Sequence, residues 1–237
     1  MSVAVTDLFS SVLGRCGASG EALAGRVRWW RIDIDAAREP DTAMLAHLAP
    51  LECVELRRYQ RREDRARFAA VRSTLRLLLS GECGLAPSTV PIRRDRFGRP
   101  CLAEDGAGID FNVSHAGKYG LIALSRVGRV GVDVELERDF DVAELAELVC
   151  SADERSLLAS LAEADRSSAF LRLWVQKEAA LKAVGVGIAS DAMPLISPLA
   201  GRLHGCADLP FSCEHIELAA LPMPAGYDAA IALSGAP

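Results

Sequence analysis

No stretch of this 237-residue chain approaches the ~20 consecutive apolar residues that a membrane span requires. The N-terminus, MSVAVTDLFSSVLGRCGASG, lacks the basic run that opens an export signal and carries Asp7. Neither a membrane anchor nor export is expected. The chain also has no CxxC pair and no histidine near a cysteine at zinc spacing: its seven cysteines, Cys16, Cys53, Cys83, Cys101, Cys150, Cys206 and Cys213, are scattered. An odd number of scattered thiols reads as unpaired cysteines in a reducing, cytoplasmic setting. Positive charge is not in excess either. A formal net charge of -5 excludes the global basic field that draws a protein to nucleic acid, so any anionic ligand must be held by locally clustered Arg and Lys.

What is present is a chain 50% hydrophobic and 25% charged, enough to bury a sizeable core as one large domain or two small ones. Residues up to about 25 are small and weakly patterned and read as a loose extension. The alternation of WWRIDID, within Arg28 to Asp35, predicts a strand, and GVDVELE, Gly131 to Glu137, predicts a second; each carries two acidic residues at period two. A helical pattern follows each strand, over Glu63 to Leu79 and over Arg166 to Val184. A strand ending IALS follows in turn, YGLIALS at Tyr119 to Ser125 and YDAAIALS at Tyr227 to Ser234. Any one of these matches arises readily by chance among apolar strands, but three in the same order imply two related α+β halves joined near Ser125 to Gly131, with the natural binding site in the cleft between them.

Four groupings carry chemistry. In GVDVE, strand geometry sends Asp133 and Glu135 to one face and Val132 and Val134 to the other. Two carboxylates so close want a cation between them, and hard oxygen ligands suit Mg²⁺, although an exposed strand edge with solvated acids reads the same way. In WVQKEAALKAVGVG, Trp174, Glu178 and Lys182 are four apart and share one helix face, which fits an ordinary surface ion pair as well as a third carboxylate completing a metal site. In FNVSHAGKYG, Phe111 to Val113 reads as strand and Ser114 to Gly117 as a polar turn that could offer Ser114, His115 and backbone N–H groups to a phosphate. No Gly-x-Ser-x-Gly elbow surrounds Ser114, so it is not read as a hydrolase nucleophile. Basic residues form the fourth grouping: Arg57, Arg58, Arg61, Arg62, Arg65, Arg67, Arg72 and Arg76, then RRDRFGRP from Arg93 to Pro100. Many of these belong to solvated helix surface, while a few could clamp phosphates.

In order, FGRP, FNVSHAG, GVDVE and WVQKEAALK resemble the signature blocks of the surfactin (Sfp)-type 4′-phosphopantetheinyl transferases, whose hallmark is (I/V)G(I/V)D followed by (F/W)xxKE(A/S)xxK. The resemblance runs from about Tyr59 to Gly187 and is to the W/KEA branch. It implies an α+β fold of two similar subdomains forming an intramolecular pseudo-dimer, here 26–128 and 129–237 after the extension 1–25, with the active site between them. It also implies transfer of the 4′-phosphopantetheine group of coenzyme A to a serine of an apo acyl or peptidyl carrier protein, releasing 3′,5′-ADP. Asp133, Glu135 and Glu178 match the family's Mg²⁺ ligands, with Mn²⁺ as an alternative metal, and Glu178 also matches its proposed base. Lys182 matches a pyrophosphate contact and, with Glu178 and His115, the catalytic set; Ser114 and His115 match phosphate contacts, Arg99 a contact near the adenine nucleotide, and Arg62 a contact to the 3′-phosphate. A cytoplasmic monomer without nucleic-acid or membrane partners is the corresponding expectation. The competing readings are a metal-dependent phosphohydrolase using the same carboxylates and a catalytically silent coenzyme A-binding protein.

Overall fold

Glycine in the left-handed conformation stops both long helices, and between them they organise the molecule. The structure, a computed structural model, describes residues 16–103, 108–138, 141–185, 190–199, 202–204 and 216–235. Its helices are α1 (Thr42–His47), α2 (Pro50–Leu56), α3 (Arg62–Cys83), α4 (Val142–Val149), α5 (Ala152–Ser160) and α6 (Glu163–Val184). Helices α3 and α6 each run 22 residues and end at Gly84 (φ 69°) and Gly185 (φ 81°), which lack the Cβ that disfavours this conformation. Helix α5 begins with a capping box in which Ser151 and Glu154 satisfy each other's backbone N–H groups.

The strands are β1 (Cys16–Ala22), β2 (Val27–Asp33), β3 (Ile92–Arg94), β4 (Pro100–Leu102), β5 (Asp110–Ala116), β6 (Tyr119–Ser125), β7 (Gly128–Leu136), β8 (Ser197–Leu199), β9 (Arg202–His204), β10 (Ile216–Ala220) and β11 (Tyr227–Gly235). One sheet has the order β1-β2-β6-β5 and the other β7-β11-β10-β9-β8; β3 and β4 form a separate hairpin. The run β2-β6-β5 in the first sheet is matched by β7-β11-β10 in the second. Each sheet lays one face on its own helix: Ile32, Ile122 and Leu124 pack with Ala70, Val71 and Leu75 of α3, and Ala230 and Ala232 with Val175 and Ala179 of α6. The opposite faces meet through Val27, Trp29, Leu121 and Ala123 against Val130, Val132, Val134 and Ile231. The result is four layers, α3, sheet, sheet and α6, in an α+β fold.

Three expectations change. Strand β1 lies where a loose segment was expected, because an edge strand of alternating half-buried and exposed small residues carries little apolar signal; residues 1–15 lie outside the described residues. Ser114 and His115 belong to strand β5 rather than a turn: they pair opposite Leu121 and Gly120, and the chain reverses only at Gly117, with φ +51°. Finally, the two IALS segments do not face alike. Ile122 and Leu124 point to their helix, whereas Ile231 and Leu233 point to the facing sheet. A one-residue offset in a strand reverses every side chain, so this sequence match does not superimpose equivalent positions.

Among the described residues no helix is long and apolar enough to cross a membrane. The five described cysteines, Cys16, Cys53, Cys83, Cys101 and Cys150, are unpaired.

Candidate active site

The candidate site lies where β7, α6 and the edge of β5 converge, and Gly131 is what lets them do so. A Cβ at Gly131 would collide with the Ala179 carbonyl oxygen and crowd the Ala183 nitrogen, so only glycine lets the α6 backbone lie this close to β7. Asp133 and Glu135, at alternate positions, then project from β7 toward Glu178 and Lys182 on α6. Val132 and Val134 fill the layer between the sheets.

Asp133 is buried, and its Oδ1 accepts from Lys182 Nζ at 2.6 Å and from Ser114 Oγ at 2.9 Å. Its Oδ2 and Glu178 Oε1 are buried with no hydrogen-bond partner. Trp174 stands beside Glu135 and Lys182 bonds Asp133, so the Trp174, Glu178 and Lys182 face of α6 is turned to β7. Electrostatics follow from this packing. Burial, reinforced by Asp133 and Glu135 and only partly offset by Lys182, pushes Glu178 up to about 7. Burial and the neighbouring Asp133 likewise raise Glu135 above the usual carboxylate range. Three acids thus share one region with a single lysine bonded among them.

Among the described residues no group of three or more His, Cys, Asp and Glu side chains forms a ready-made metal cluster. The donor set nevertheless fits a hard divalent cation. It is all oxygen, two buried carboxylate oxygens lack partners, and burial together with the neighbouring acids raises Glu178 and Glu135 above the usual carboxylate range.

Ser114 and His115, adjacent on β5, part company. Ser114 turns to Asp133, whereas His115 is exposed, and desolvation followed by the charges of Arg67 and Lys182 keeps its imidazole below the ordinary histidine range. Arg67 comes from the arginine-rich region: its Nε donates to the Gly117 carbonyl at 3.0 Å and its Nη1 to Asp64 at 2.8 Å. The Tyr227 hydroxyl accepts from the Lys118 N–H at 3.1 Å, so the turn after His115 is held by α3 and by β11. Arg62 is not drawn in; it is half exposed and pairs with its neighbour Glu63 at 3.9 Å. Several other arginines of that region brace the fold, Arg76 being buried against Glu52, Pro87 and Val90.

Arg99 also departs from expectation. The turn before it is closed by Asp95, whose Oδ1 accepts from the Phe97 and Arg99 N–H groups, and by Gly98 at φ +81°. The arginine emerging from it points inward. Its guanidinium donates to the Lys182 carbonyl, to Asp110 Oδ2 at 2.6 Å, and to the carbonyls of Phe111 at 3.0 Å and Val130 at 2.8 Å. With 8% of its side chain exposed, Arg99 is a brace between β5, β7 and the end of α6 rather than a group presented to a nucleotide.

Comparison with known proteins bears on this geometry. Residues 36–126 match the family described as 4′-phosphopantetheinyl transferase, N-terminal, and residues 129–203 the 4′-phosphopantetheinyl transferase superfamily. The 4′-phosphopantetheinyl transferase HetI of Nostoc sp. is 35% identical over 170 residues, covering 70% of this chain and 72% of the relative. The chain belongs to the 4′-phosphopantetheinyl transferase superfamily. The 4′-phosphopantetheinyl transferase Sfp of Bacillus subtilis is 26% identical over 173 residues, 73% of this chain and 74% of the relative, which accords with the Sfp-type resemblance. A putative 4′-phosphopantetheinyl transferase of Synechocystis sp. is 36% identical over 153 residues, 64% of this chain and 62% of the relative. As a phosphopantetheinyl transferase, the protein is an enzyme that moves phosphopantetheine from coenzyme A to carrier proteins.

Between them, the two family matches cover residues 36–126 and 129–203, and so include every candidate site residue. Arg67 was one of the arginines that the sequence offers as a phosphate clamp, whereas Gly131, Asn112 and Tyr227 were not marked for a role in the site. Gly131 alone left a signal, a glycine inside an apolar strand pattern.

Proposed function

We propose that the transfer is carried out at Asp133, Glu135, Glu178 and Lys182, with Mg²⁺, or Mn²⁺ in its place, held by the three carboxylates. The observation that carries this reading is the pair of buried, partnerless carboxylate oxygens on Asp133 and Glu178, which flank one lysine in a region with too little positive charge. Such a cation would supply charge neutralisation for the coenzyme A pyrophosphate as 3′,5′-ADP departs.

The remaining work falls to the chain's own residues. Lys182 is bonded to Asp133, and its ammonium is the donor nearest at hand for a pyrophosphate oxygen. Ser114 Oγ, on the other side of Asp133, can turn its proton to a phosphate oxygen. Glu178 is placed to accept the carrier serine proton as that hydroxyl attacks the β-phosphorus in line; its value of about 7 belongs to the metal-free site, and a bound cation would lower it. His115, held below the ordinary histidine range, offers a hydrogen bond to the phosphates. The attacking hydroxyl belongs to the carrier, so no nucleophile is required of this chain. An apo acyl or peptidyl carrier protein is the partner, and a monomer acting in the cytoplasm fits a site assembled from both sheets of one chain.

The test is intact-mass spectrometry of apo carrier proteins incubated with the enzyme, coenzyme A and Mg²⁺, with EDTA as control. The expected result is a metal-dependent gain of about 340 Da on the carrier, lost in Asp133→Ala. Full transfer by Asp133→Ala at saturating Mg²⁺ would remove Asp133 from the site, and coenzyme A cleavage without any carrier would identify a hydrolase instead.

A further inference from the structure

Strand β7 is the terminal strand of its sheet and pairs with β11 along one side only. Strand β5 is likewise the terminal strand of the other sheet. The two edges meet, yet they are joined by side chains and not by a backbone ladder. Asp110 Oδ2 accepts from the Val130 N–H at 2.7 Å, and Asn112 Oδ1 accepts from the Val132 N–H at 3.0 Å. One step further, Ser114 Oγ donates to Asp133 Oδ1 at 2.9 Å. The carbonyls on the same side of β7 are met by Arg99, at 2.8 Å from Val130, and more weakly by Lys182, at 3.4 Å from Val132. Asp110, Asn112 and Ser114 are two residues apart and share a face of β5; the first two meet alternate backbone N–H groups of β7, and the third meets the side chain of Asp133.

We propose that Asn112 is a positioning residue of the transferase: its bond to Val132 fixes the register of β5 against β7 and thereby holds Ser114 Oγ on Asp133. The inference rests on reading Asp133 as the centre of the site. A strand can slip only in steps that exchange its faces or move it by a two-residue repeat, and either slip would part Ser114 from Asp133. Asp110, itself anchored by Arg99, sets one point of the seam; a second point is needed to fix direction as well as position. Asn112 provides it from a buried position, 7% exposed, where the Val132 N–H has no access to bulk water as a substitute.

Asn112→Leu keeps the side-chain volume and removes the acceptor, and the full-length enzyme carrying it is compared with Ser114→Ala and the double variant. Amide exchange without ligands is expected to show Val132 losing protection in Asn112→Leu while Gly131 and Asp133, whose backbone groups face β11, keep theirs. In transfer assays Asn112→Leu is expected to lower kcat by about 10- to 100-fold, the range for groups that orient a ligand from behind. The double variant should be little worse than Ser114→Ala, because Asn112 acts through Ser114. Losses that multiply, or unchanged Val132 exchange, would overturn the proposal; a general loss of stability would open β7 uniformly and give additive effects. If Asn112→Leu does not fold, Asn112→Ser, too short to reach Val132, takes its place in the same cycle. Full activity of Asp133→Ala would defeat the reading of the site, while the exchange result would still decide whether Asn112 sets the seam.

Discussion

Replacing Glu178 with glutamine should make the ligand-free protein more stable while abolishing its activity. The carboxyl has an ordinary value of 4.5 and is pushed up to about 7 in the folded protein. Below about 4.5 the acid is protonated in both folded and unfolded chains and carries no penalty. Between 4.5 and 7 the unfolded chain releases a proton that the folded protein keeps, so stability falls as pH rises; above 7 both are ionised and the penalty is constant. At about 1.4 kcal/mol per pH unit the full penalty is about 3 kcal/mol, and water penetration at a partly open site reduces this to about 1–2 kcal/mol. For a chain of this size each kcal/mol moves Tm by about 2–4 °C. Thermal unfolding at pH 8 without metal should therefore show Glu178→Gln about 2–8 °C above wild type, with the gap closing toward pH 5. Added Mg²⁺ should raise the wild-type Tm and leave the variant's nearly unmoved. A variant less stable than wild type at pH 8, or one with the same pH slope, would refute the account of a buried and under-compensated carboxylate.

Gly131→Ala should lower stability by about 1–3 kcal/mol, because the added methyl meets the α6 backbone at Ala179, and transfer should fall further than stability as Glu178 and Lys182 are moved off Asp133; denaturant titration and kcat separate the two. Lys177, fully buried and bonded to Glu154 at 2.6 Å and to the carbonyls of Val149 and Met193, is structural: Lys177→Met should cost about 3–5 kcal/mol by leaving the buried Glu154 without its cation, and Lys177→Met/Glu154→Gln should recover part of it in urea unfolding. Arg99→Lys should lower the Tm of the ligand-free enzyme, since an ammonium cannot serve the four acceptors that the guanidinium bonds; an unchanged Tm with a raised KM for coenzyme A would return Arg99 to the nucleotide site.

Much of this architecture was legible because it rests on periodicity and punctuation. The alternation of GVDVE marks a strand with its acids on one face, and the four-residue spacing of Trp174, Glu178 and Lys182 marks one face of a helix; both survive any tertiary setting. Other features depended on contacts between distant segments. FNVSHAG reads as strand then turn because Ser, His and Gly are turn formers, but pairing with β6 extends the strand through Ala116 and leaves the reversal to Gly117. The side of a hairpin from which Arg99 emerges is set by the turn at Gly98 and by acceptors waiting on β5, β7 and α6. Nor could the arginine-rich run declare which guanidinium belongs near the site: Arg67 stands at the turn after His115 because α3 packs on β6, a pairing of segments some fifty residues apart.

The two halves repeat in topology, and the site lies where they cease to repeat in chemistry. Under α3, the helix-facing side of β2 presents Trp30 and Ile32, both buried among apolar neighbours. Under α6, the corresponding layer of β7 presents Gly131, Asp133 and Glu135. The acids of WWRIDID lie in the other phase of their strand: Asp33 is 55% exposed and pairs with Arg31 at 3.2 Å. Two acids at period two therefore mean opposite things in the two strands. Solvent and an adjacent arginine neutralise Asp33 from outside, whereas Asp133 and Glu135 lie on the side of β7 that faces α6, where burial raises Glu135 and the charges of Arg138 and Lys182 offset this only in part. The same strand–helix packing that makes an apolar core in the first half gives the second half its candidate site, and what admits it is the missing side chain at Gly131.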